Sequence, residues 1–276
     1  MESLDGLPPP QRRRALLTLA LAISVSVLGS ALPNIALPSI ARDLAVSPGA
    51  SVWVVNAYQI AVTVSLLPCS SLGDIHGYRR VYGWGLVVFT LASLFCALAP
   101  TLPLLCAARV LQGLGAAGLM SVNTALIRYI FPRSMLGRGL GINALIVATS
   151  SAIGPTVAAG ILSVATWPWL FAVNVPVGLV AMAMLRSLPR SALSGHDFDL
   201  ASAGLNAAMF GLFIAAVDGL GHGQTPLLGI GELLGAGAVG FVFVRRQLSL
   251  AAPMLPVDLL RMPIFTLSVA TAVCSF

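Results

Sequence analysis

Repeated apolar runs constrain the fold of this chain more than any other feature of its sequence. A membrane-spanning helix needs roughly 20 mostly apolar residues. Eight runs of about that length are visible, and a ninth begins near Met262. The eight complete runs lie at residues 15–40, 52–72, 81–99, 102–127, 139–165, 167–185, 200–218 and 226–244. The ninth has about 15 residues before the sequence ends and is short of a full span, so we expect the protein to continue beyond this chain.

The composition indicates that lipid solvates these runs. Only 9% of the 276 residues are charged and 58% are hydrophobic, whereas about a quarter of the residues in a soluble domain are charged. No stretch shows the roughly ten-residue alternation that is typical of membrane β-barrels. The sequence therefore predicts an all-α polytopic membrane protein. The cysteines lie in apolar stretches and form no CxxC pair, so neither a disulfide framework nor a metal site is expected.

The arginines predict an orientation. If the N-terminus is cytoplasmic, every even-numbered connection between spans is cytoplasmic too. Arginines occur before span one and in each of these connections, at Arg12, Arg13, Arg14, Arg79, Arg80, Arg128, Arg133, Arg138, Arg186, Arg190, Arg245, Arg246 and Arg261. The opposite connections contain only Arg42. Cytoplasmic loops carry an excess of basic residues, so topology explains the net charge of +6 without a nucleic-acid partner.

The connections also predict how the chain is divided. The stretch 187–199 is polar, contains Pro189, Gly195 and His196, and follows the sixth apolar run. We therefore predict a cytoplasmic N-terminal segment (1–14), a six-helix half (15–186), this cytoplasmic loop (187–199), two additional membrane helices (200–244), and a cytoplasmic loop with a truncated ninth helix (245–276).

The connection between spans two and three, residues 70–80, combines glycines, a carboxylate and arginines. Glycine allows a tight turn, and Asp74 is placed to cap a helix N-terminus or to pair with an arginine. Arg79 and Arg80 can hold a helix end at the membrane surface. A simple basic loop explains the two arginines but not Asp74 and Gly77 at this spacing. We interpret Asp74, Gly77, Arg79 and Arg80 as a conformational gating loop.

Span four contains a charged residue, Arg109. A charge at the centre of a span costs about 2.5–3.5 kcal/mol on insertion scales, so such residues usually face the bundle interior and have a function. Gln112 and Gly113 follow at i+3 and i+4 and share its helical face. The alternative is that Arg109 snorkels to the outer interface. Because the same face carries Gln112, we favour a buried, functional arginine.

Span five contains small residues and a proline, including Gly141, Ser150, Gly154 and Pro155. Proline removes a backbone hydrogen bond and bends a helix, which would suit a mechanical role. Small residues at helical spacing are also typical of ordinary close packing between membrane helices. The residues alone leave both interpretations open.

Several polar residues inside spans are candidates for a substrate path. Asn34, Asn56 and Tyr58 belong to this set, although a hydrogen bond between helices is the commoner role of any one such residue. Glu232 is the one carboxylate deep within an apolar run. Intramembrane carboxylates can carry protons or bind cations, so Glu232 is included as a candidate.

These motifs resemble the major facilitator superfamily and, more closely, its drug:proton antiporters with fourteen spans. Asp74-x-x-Gly77-x-Arg79-Arg80 is similar to the family signature between the second and third helices. Arg109-x-x-Gln112-Gly113 is similar to the span-four signature, whose arginine is implicated in proton coupling, and Gly154-Pro155 resembles the antiporter motif of span five. The resemblance covers nearly the whole chain. It implies a major-facilitator-type N-terminal six-helix bundle, two extra helices and the start of a ninth.

The sequence departs from the family pattern at several positions. Gly29 stands where the fourteen-span group often has an acidic residue, so a first-helix carboxylate is missing. Ile75 replaces the usual arginine after Asp74, and Ser70 replaces the glycine that opens the loop. In span five, Ser150 stands at a position that is usually glycine.

The resemblance implies a proton-coupled efflux transporter, an antiporter for amphipathic drugs or toxic compounds, cationic ones among them. The partners it implies are the lipid bilayer, a small-molecule substrate, protons and a C-terminal half of the transporter, in the bacterial inner membrane. No cofactor is expected. The alternatives are a carrier for a specific metabolite and a non-transporting membrane scaffold or sensor. No HExxH, GxSxG or paired intramembrane aspartates are present, so we do not expect an enzyme.

Overall fold

Helices make up nearly all of the described chain. The computed structural model describes residues 5–195, 197–221, 225–250, 253–255 and 257–275, and no β-strand occurs within them. The helices are α1 (Pro9–Asp43), α2 (Pro48–Ser51), α3 (Trp53–His76), α4 (Tyr78–Leu98), α5 (Leu102–Ile130), α6 (Leu136–Val164), α7 (Trp169–Ala172), α8 (Asn174–Ala183), α9 (Leu200–Gly221), α10 (Pro226–Ser249) and α11 (Pro263–Ser275). The predicted all-α class is confirmed. Parts of the predicted segments 1–14, 187–199, 200–244 and 245–276 lie outside the described residues, His196 among them.

Seven helical stretches in the described part are long and apolar enough to cross a membrane. They are Pro9–Asp43, Pro48–His76, Tyr78–Leu98, Leu102–Ile130, Arg133–Val164, Leu200–Gly221 and Pro226–Ser249. Each overlaps one of the predicted apolar runs, so the chain is a multi-pass membrane protein. In lipid, a helix satisfies its own backbone hydrogen bonds, which is why apolar length alone identifies these elements.

The sixth predicted run differs from the other seven. Its helical part, Trp169–Ala183, is shorter than the predicted span at 167–185. A turn precedes it, in which the N–H of Trp169 donates to the backbone oxygen of Thr166 at 3.1 Å. A 3-10 turn at Leu185–Ser187 follows it. These two turns use apolar residues that the hydropathy pattern assigned to the helix.

The chain forms two compact units, Met1–Gly195 and His196–Phe276. In the first unit, α3 and α4 pack on α5, α1 packs on α6 and α8, and α4 packs on α7 and α8. In the second unit, α9 packs against α10. The division falls inside the predicted loop 187–199.

Glycines on α5 allow its two neighbouring helices to approach closely. A Cβ atom on Gly113 would lie 2.6 Å from the backbone oxygen of Tyr58 on α3. On the other side of α5, a Cβ atom on Gly115 would lie 2.8 Å from the backbone oxygen of Gly85 on α4. Close backbone approach at small residues is a main source of helix association in membranes. The interior of the first unit is therefore organised around α5, which carries Arg109.

Candidate functional site

The Arg109 side chain is fully buried in the first unit, at 0% exposure. Its Nε donates to the backbone oxygen of Val54 on α3 at 2.8 Å, and its Nη1 donates to the backbone oxygen of Gly29 on α1 at 2.9 Å. Nη1 also donates to Oε1 of Gln112. The guanidinium therefore joins α1, α3 and α5 and does not snorkel to the interface. Its Nη2 has no hydrogen-bond partner among the described residues.

Two aromatic rings cover the Arg109 guanidinium. Its Cζ lies 4.2 Å from the ring centroid of Tyr58 and 5.6 Å from that of Phe171. An arginine within about 6 Å of an aromatic face is attracted by the ring quadrupole, most strongly where water is excluded. The Tyr58 hydroxyl donates to the backbone oxygen of Ser26 at 3.0 Å, which ties the ring to α1.

Gln112 extends this arrangement to α4. Its Nε2 donates to Oγ of Ser93 at 2.7 Å, and the Ser93 hydroxyl donates to the backbone oxygen of Phe89 at 2.7 Å. The thiol of Cys96 donates a weaker bond to Oε1 of Gln112 at 3.8 Å. Arg109, Gln112, Tyr58 and Ser93, together with the backbone oxygens that they contact, are called the arginine network below. Gly113 adds no functional group to it and serves the close packing of α3 on α5.

No carboxylate belongs to the arginine network in the described part of the chain, where the one recorded salt bridge joins Asp199 and Arg246. Gly29, the position where the resemblance leads us to expect an acidic residue, contributes its backbone oxygen to the network. A Cβ atom on Gly29 would lie 2.9 Å from Cζ of Phe89 and 3.7 Å from Nε2 of Gln112. The guanidinium is thus held by backbone and amide oxygens and by aromatic rings.

The turn between α3 and α4 contains the predicted gating residues. Gly77 has φ +94°, a region that favours glycine, and it ends α3 after His76. The Tyr78 hydroxyl donates to Oδ1 of Asp74 at 2.5 Å. Asp74 therefore does not pair with Arg79 or Arg80 and does not cap a helix N-terminus, the two roles that its position in the sequence predicted.

A segment after α8 is bound to this turn. The N–H of Tyr78 donates to Oγ of Ser191 at 3.0 Å, and the N–H of Ser194 donates to the backbone oxygen of Asp74 at 2.8 Å. Residues 188–194 were predicted as part of a connecting loop, and the structure attaches their C-terminal end to the proposed gating loop.

The small residues of α6 form its contact with α1. Ser150, Gly154 and Ala158 are buried on one face at a spacing of four residues. The Ser150 hydroxyl donates to Oγ of Ser24 at 3.0 Å, and a Cβ atom on Gly154 would lie 3.2 Å from Cβ of Ala31. On the described chain, exposed Gly141 and Pro155 lie outside this contact, and α6 continues through Pro155.

The predicted substrate-path residues have different surroundings. Tyr58 belongs to the arginine network, whereas the amide of exposed Asn34 donates to the backbone oxygen of Ser30 in its own helix at 3.1 Å. Asn56 is half-buried on α3. Glu232 lies on α10 in the second unit, half-buried, and its Oε2 has no hydrogen-bond partner among the described residues.

Sequence reasoning missed most of the partners of Arg109. The backbone oxygens of Gly29 and Val54 have no side-chain signature, because every residue has the same carbonyl group. Ser93 is a small hydroxyl within an apolar run, and Phe171 is one of many apolar aromatic residues. An in-span hydroxyl opposite Gln112 is the one signal that could have suggested Ser93.

Comparisons with known proteins all indicate the same family of transporters. A family model described as the Major Facilitator Superfamily matches residues 19–276. The uncharacterized transporter YebQ of Escherichia coli K12 is 58% identical over 99% of this chain. MdtD of Salmonella heidelberg, named for multidrug resistance, is 32% identical over 94% of it, and the riboflavin transporter RibZ of Clostridioides difficile is 30% identical over 81%. The chain spans 60%, 56% and 50% of the lengths of these relatives.

A solved structure shows the same fold. The D-xylose–proton symporter superposes with a TM-score of 0.55 over 84% of this chain and 66% of its own, at 14% sequence identity. At this identity the likeness concerns the arrangement of helices and says nothing about substrate.

Proposed function

Because the chain belongs to the major facilitator superfamily, we propose that it is the N-terminal part of a transporter for small molecules. A C-terminal half would complete the transporter, since the chain spans between 50% and 60% of the length of its relatives. We place the protein in the bacterial inner membrane, with its N-terminus in the cytoplasm, from the distribution of its arginines. Residues 15–186 are then one half of the transporter, and 200–244 are two additional helices.

We further propose that transport is export of amphipathic compounds in exchange for protons. The observation that carries this proposal is the buried guanidinium of Arg109, which contacts three helices and keeps Nη2 without a partner. A buried cation lowers the pKa of a nearby carboxyl and responds when that group gains a proton. We assign the carboxyl to the C-terminal half, because the described residues around Arg109 include none. The likeness to MdtD supports drugs as the substrate class.

The turn between α3 and α4 is the proposed gate. It contains Asp74, Gly77, Arg79 and Arg80, where α3 ends and α4 begins. Hydrogen bonds with Ser191 and Ser194 connect this turn to the segment after α8. A change in the angle between α3 and α4 would have to break or shift these bonds. In alternating access the two halves of a transporter rock around a central site, which opens to one side of the membrane and then to the other. A turn that is hydrogen-bonded in this way can stabilise one of these two conformations.

Proton flux in everted membrane vesicles tests the proposal. The protein is expressed from its intact gene, an acid-interior gradient is formed, and cationic dyes and antiseptics are added while a pH-sensitive fluorophore reports the gradient. We expect substrate-dependent proton release that is lost in Arg109→Ala. Arg109→Lys keeps the charge but cannot reach the same oxygens, so we expect it to be impaired as well.

Arg42→Ala is the matched control for these variants. The Arg42 side chain is exposed at the end of α1, and its Nε donates only a long bond, 3.4 Å, to the backbone oxygen of Pro38. The substrate-dependent proton flux of Arg42→Ala should equal that of the unmodified protein. Normal flux in Arg109→Ala, at equal amounts of inserted protein, would contradict the coupling role of Arg109.

The second candidate is a carrier for one metabolite. Two observations favour it: the 30% identity to a riboflavin transporter and the absence of a carboxylate at Gly29, where a cationic drug would otherwise find a partner. Riboflavin is therefore included in the vesicle panel. Flux with riboflavin alone would select this candidate, and no flux with any compound would favour a scaffold or sensor.

A further inference from the structure

A cavity of about 580 Å³ opens beside the turn between α3 and α4. Its cationic lining comes from Arg79, Arg80 and Arg190, with His76 next to them, and its apolar lining includes Trp84. Among the described residues, no carboxylate lines it and none of these three arginines forms a salt bridge. Three arginines thus line one concave site, and none of them has an acidic partner among the described residues.

Tertiary contacts build this cationic cavity. Arg190 approaches it on the segment whose Ser191 accepts a hydrogen bond from the N–H of Tyr78 at 3.0 Å. Leu185, in the 3-10 turn before this segment, packs so closely on α4 that a Cβ atom on Gly83 would lie 2.7 Å from its Cδ2. On the turn, a Cβ atom on Gly77 would lie 3.2 Å from Cδ2 of Leu193. These contacts hold the segment that carries Arg190 against the turn and α4.

An apolar groove adjoins the cationic cavity. It has a volume of about 750 Å³ and shares His76, Arg80 and Trp84 with the cavity. The rest of its lining comes from α3, α4 and α5 and is apolar or small, for example Leu72, Leu111, Leu114 and Gly118. All three helices belong to membrane-spanning stretches, so the groove extends from the cationic end into the depth of the bilayer. Trp84, 72% exposed, lies where the two volumes meet.

We propose that the cationic cavity and the apolar groove together bind one anionic phospholipid. The phosphodiester contacts Arg80 and Arg190, because guanidinium groups bind phosphate oxygens through paired, charge-assisted hydrogen bonds. An acyl chain lies in the groove, and the Trp84 ring packs against the lipid at the level where tryptophan is enriched in membranes. Basic pockets beside membrane helices bind anionic headgroups in this way. Lipid binding at this site does not depend on the transported substrate.

Binding of a defined lipid to the purified protein tests this site. The protein is expressed from its intact gene, delipidated in a neutral detergent and titrated with phosphatidylglycerol, while native mass spectrometry counts bound lipid and thermal unfolding gives Tm. We expect phosphatidylglycerol to bind and raise Tm, and phosphatidylcholine to do neither. Arg190→Gln removes a charged contact and should weaken binding about tenfold. Arg186→Gln is the matched control, because Arg186 is exposed in the preceding turn and does not line the cavity.

Two further measurements distinguish a phospholipid from free inorganic phosphate as the ligand. Inorganic phosphate alone should raise Tm less than phosphatidylglycerol, and Trp84→Ala should weaken lipid binding without changing the effect of phosphate. Equal protection by inorganic phosphate would identify a free anion as the ligand and overturn the lipid assignment. The lipid assignment would also be wrong if phosphatidylcholine bound equally well, or if Arg190→Gln left the affinity unchanged. It would be wrong too if no lipid bound because the C-terminal half covers the groove.

Discussion

Nη1 of Arg109 donates a hydrogen bond to the backbone oxygen of Gly29 at 2.9 Å. This contact joins the membrane-embedded charge of α5 to the position on α1 that lacks the expected carboxylate. A backbone oxygen attracts the guanidinium but does not exchange protons, whereas an aspartate would do both. The described part of the first unit therefore holds a fixed positive charge whose contacts do not include a carboxylate.

Restoring a carboxylate at this position should change substrate preference. The Gly29→Asp side chain would meet the ring of Phe89, whose Cζ lies 2.9 Å from the new Cβ, so Phe89→Leu is combined with it to make room. We expect the double variant to increase dye-dependent proton flux for cationic compounds, because the carboxylate can bind a cation or a proton. Gly29→Asn with Phe89→Leu is the uncharged control. Equal fluxes in the two double variants would show that the charge at this position has no effect.

The Tyr58 ring and the Tyr58 hydroxyl should contribute separately to stability. Tyr58→Phe loses the bond to the backbone oxygen of Ser26 but keeps the ring over Arg109, so we expect a loss of about 1 kcal/mol. Tyr58→Leu also loses the cation–π contact, which should cost a further ~2 kcal/mol at a desolvated site. Tm in detergent measures both variants. If Tyr58→Leu were no less stable than Tyr58→Phe, the ring would not stabilise the arginine.

Glycines at helix contacts should tolerate substitution less well than glycines on free faces. Gly113→Ala would place Cβ 2.6 Å from the backbone oxygen of Tyr58 and 2.7 Å from Cβ of Ala61, so we expect a loss of about 1–3 kcal/mol from overpacking. Gly160→Ala is the control, because no atom lies within 4 Å of its Cβ position. It should stabilise α6 by up to ~1 kcal/mol through helix propensity. Similar Tm values for the two variants would contradict the close approach of α3 and α5.

The positive φ of Gly77 should make the proposed gating turn sensitive to substitution. Gly77→Ala would force an alanine to φ +94° and crowd Leu193, and we expect a cost of about 1–3 kcal/mol for a residue held in a sparsely populated backbone region. Gly137→Ala, at a position with no neighbour within 4 Å, is the control. Hydrogen exchange of the amides that follow Gly77 should rise in the first variant only. Unchanged exchange in Gly77→Ala would mean that the turn adapts without strain.

Asp199 should stabilise the second unit down to unusually low pH. Its Oδ1 and Oδ2 accept hydrogen bonds from Arg246 at 3.0 and 3.1 Å, and its Oδ1 accepts the N–H of Ala201 at the start of α9. The bonds from Arg246 lower the pKa of Asp199 to about 2, below the value of about 3.9 for an unfolded chain. The ionised form is thus favoured in the folded state, and its contribution is lost only as pH falls from about 4 towards 2.

The difference in Tm between the unmodified protein and Asp199→Asn measures this contribution. It should be constant from pH 7 to about pH 5 and should shrink below about pH 4, because both proteins then have a neutral side chain at this position. Ser249→Ala is a control, since its hydroxyl donates only to the backbone oxygen of Arg246 in the same helix. A difference that disappears already between pH 7 and pH 5 would contradict the lowered pKa.

Much of the fold could be predicted from hydropathy alone. The runs that became α1, α3, α4 and α5 are long, apolar and separated by short connections, and a spanning segment in lipid has no alternative to an internally bonded helix. Prediction was less accurate at the sixth run, because Trp167 and Leu185, which lie in the turns on either side, are as apolar as the helix residues. The segment after α8 was predicted as a loop, since its serines do not reveal that they bind the turn at Asp74.

The sequence by itself determined that this chain crosses the membrane repeatedly and that Arg109 lies within one of the spans. These properties depend on the number and order of apolar and charged side chains, which sequence states directly. Only the tertiary structure decided that Arg109 is held by the backbone oxygens of Gly29 and Val54, and that Arg190 lines the same cavity as the arginines of α4. Backbone acceptors are chemically the same at every residue, and a contact between distant segments depends on how helices pack. Neither kind of contact can be predicted from the order of the side chains.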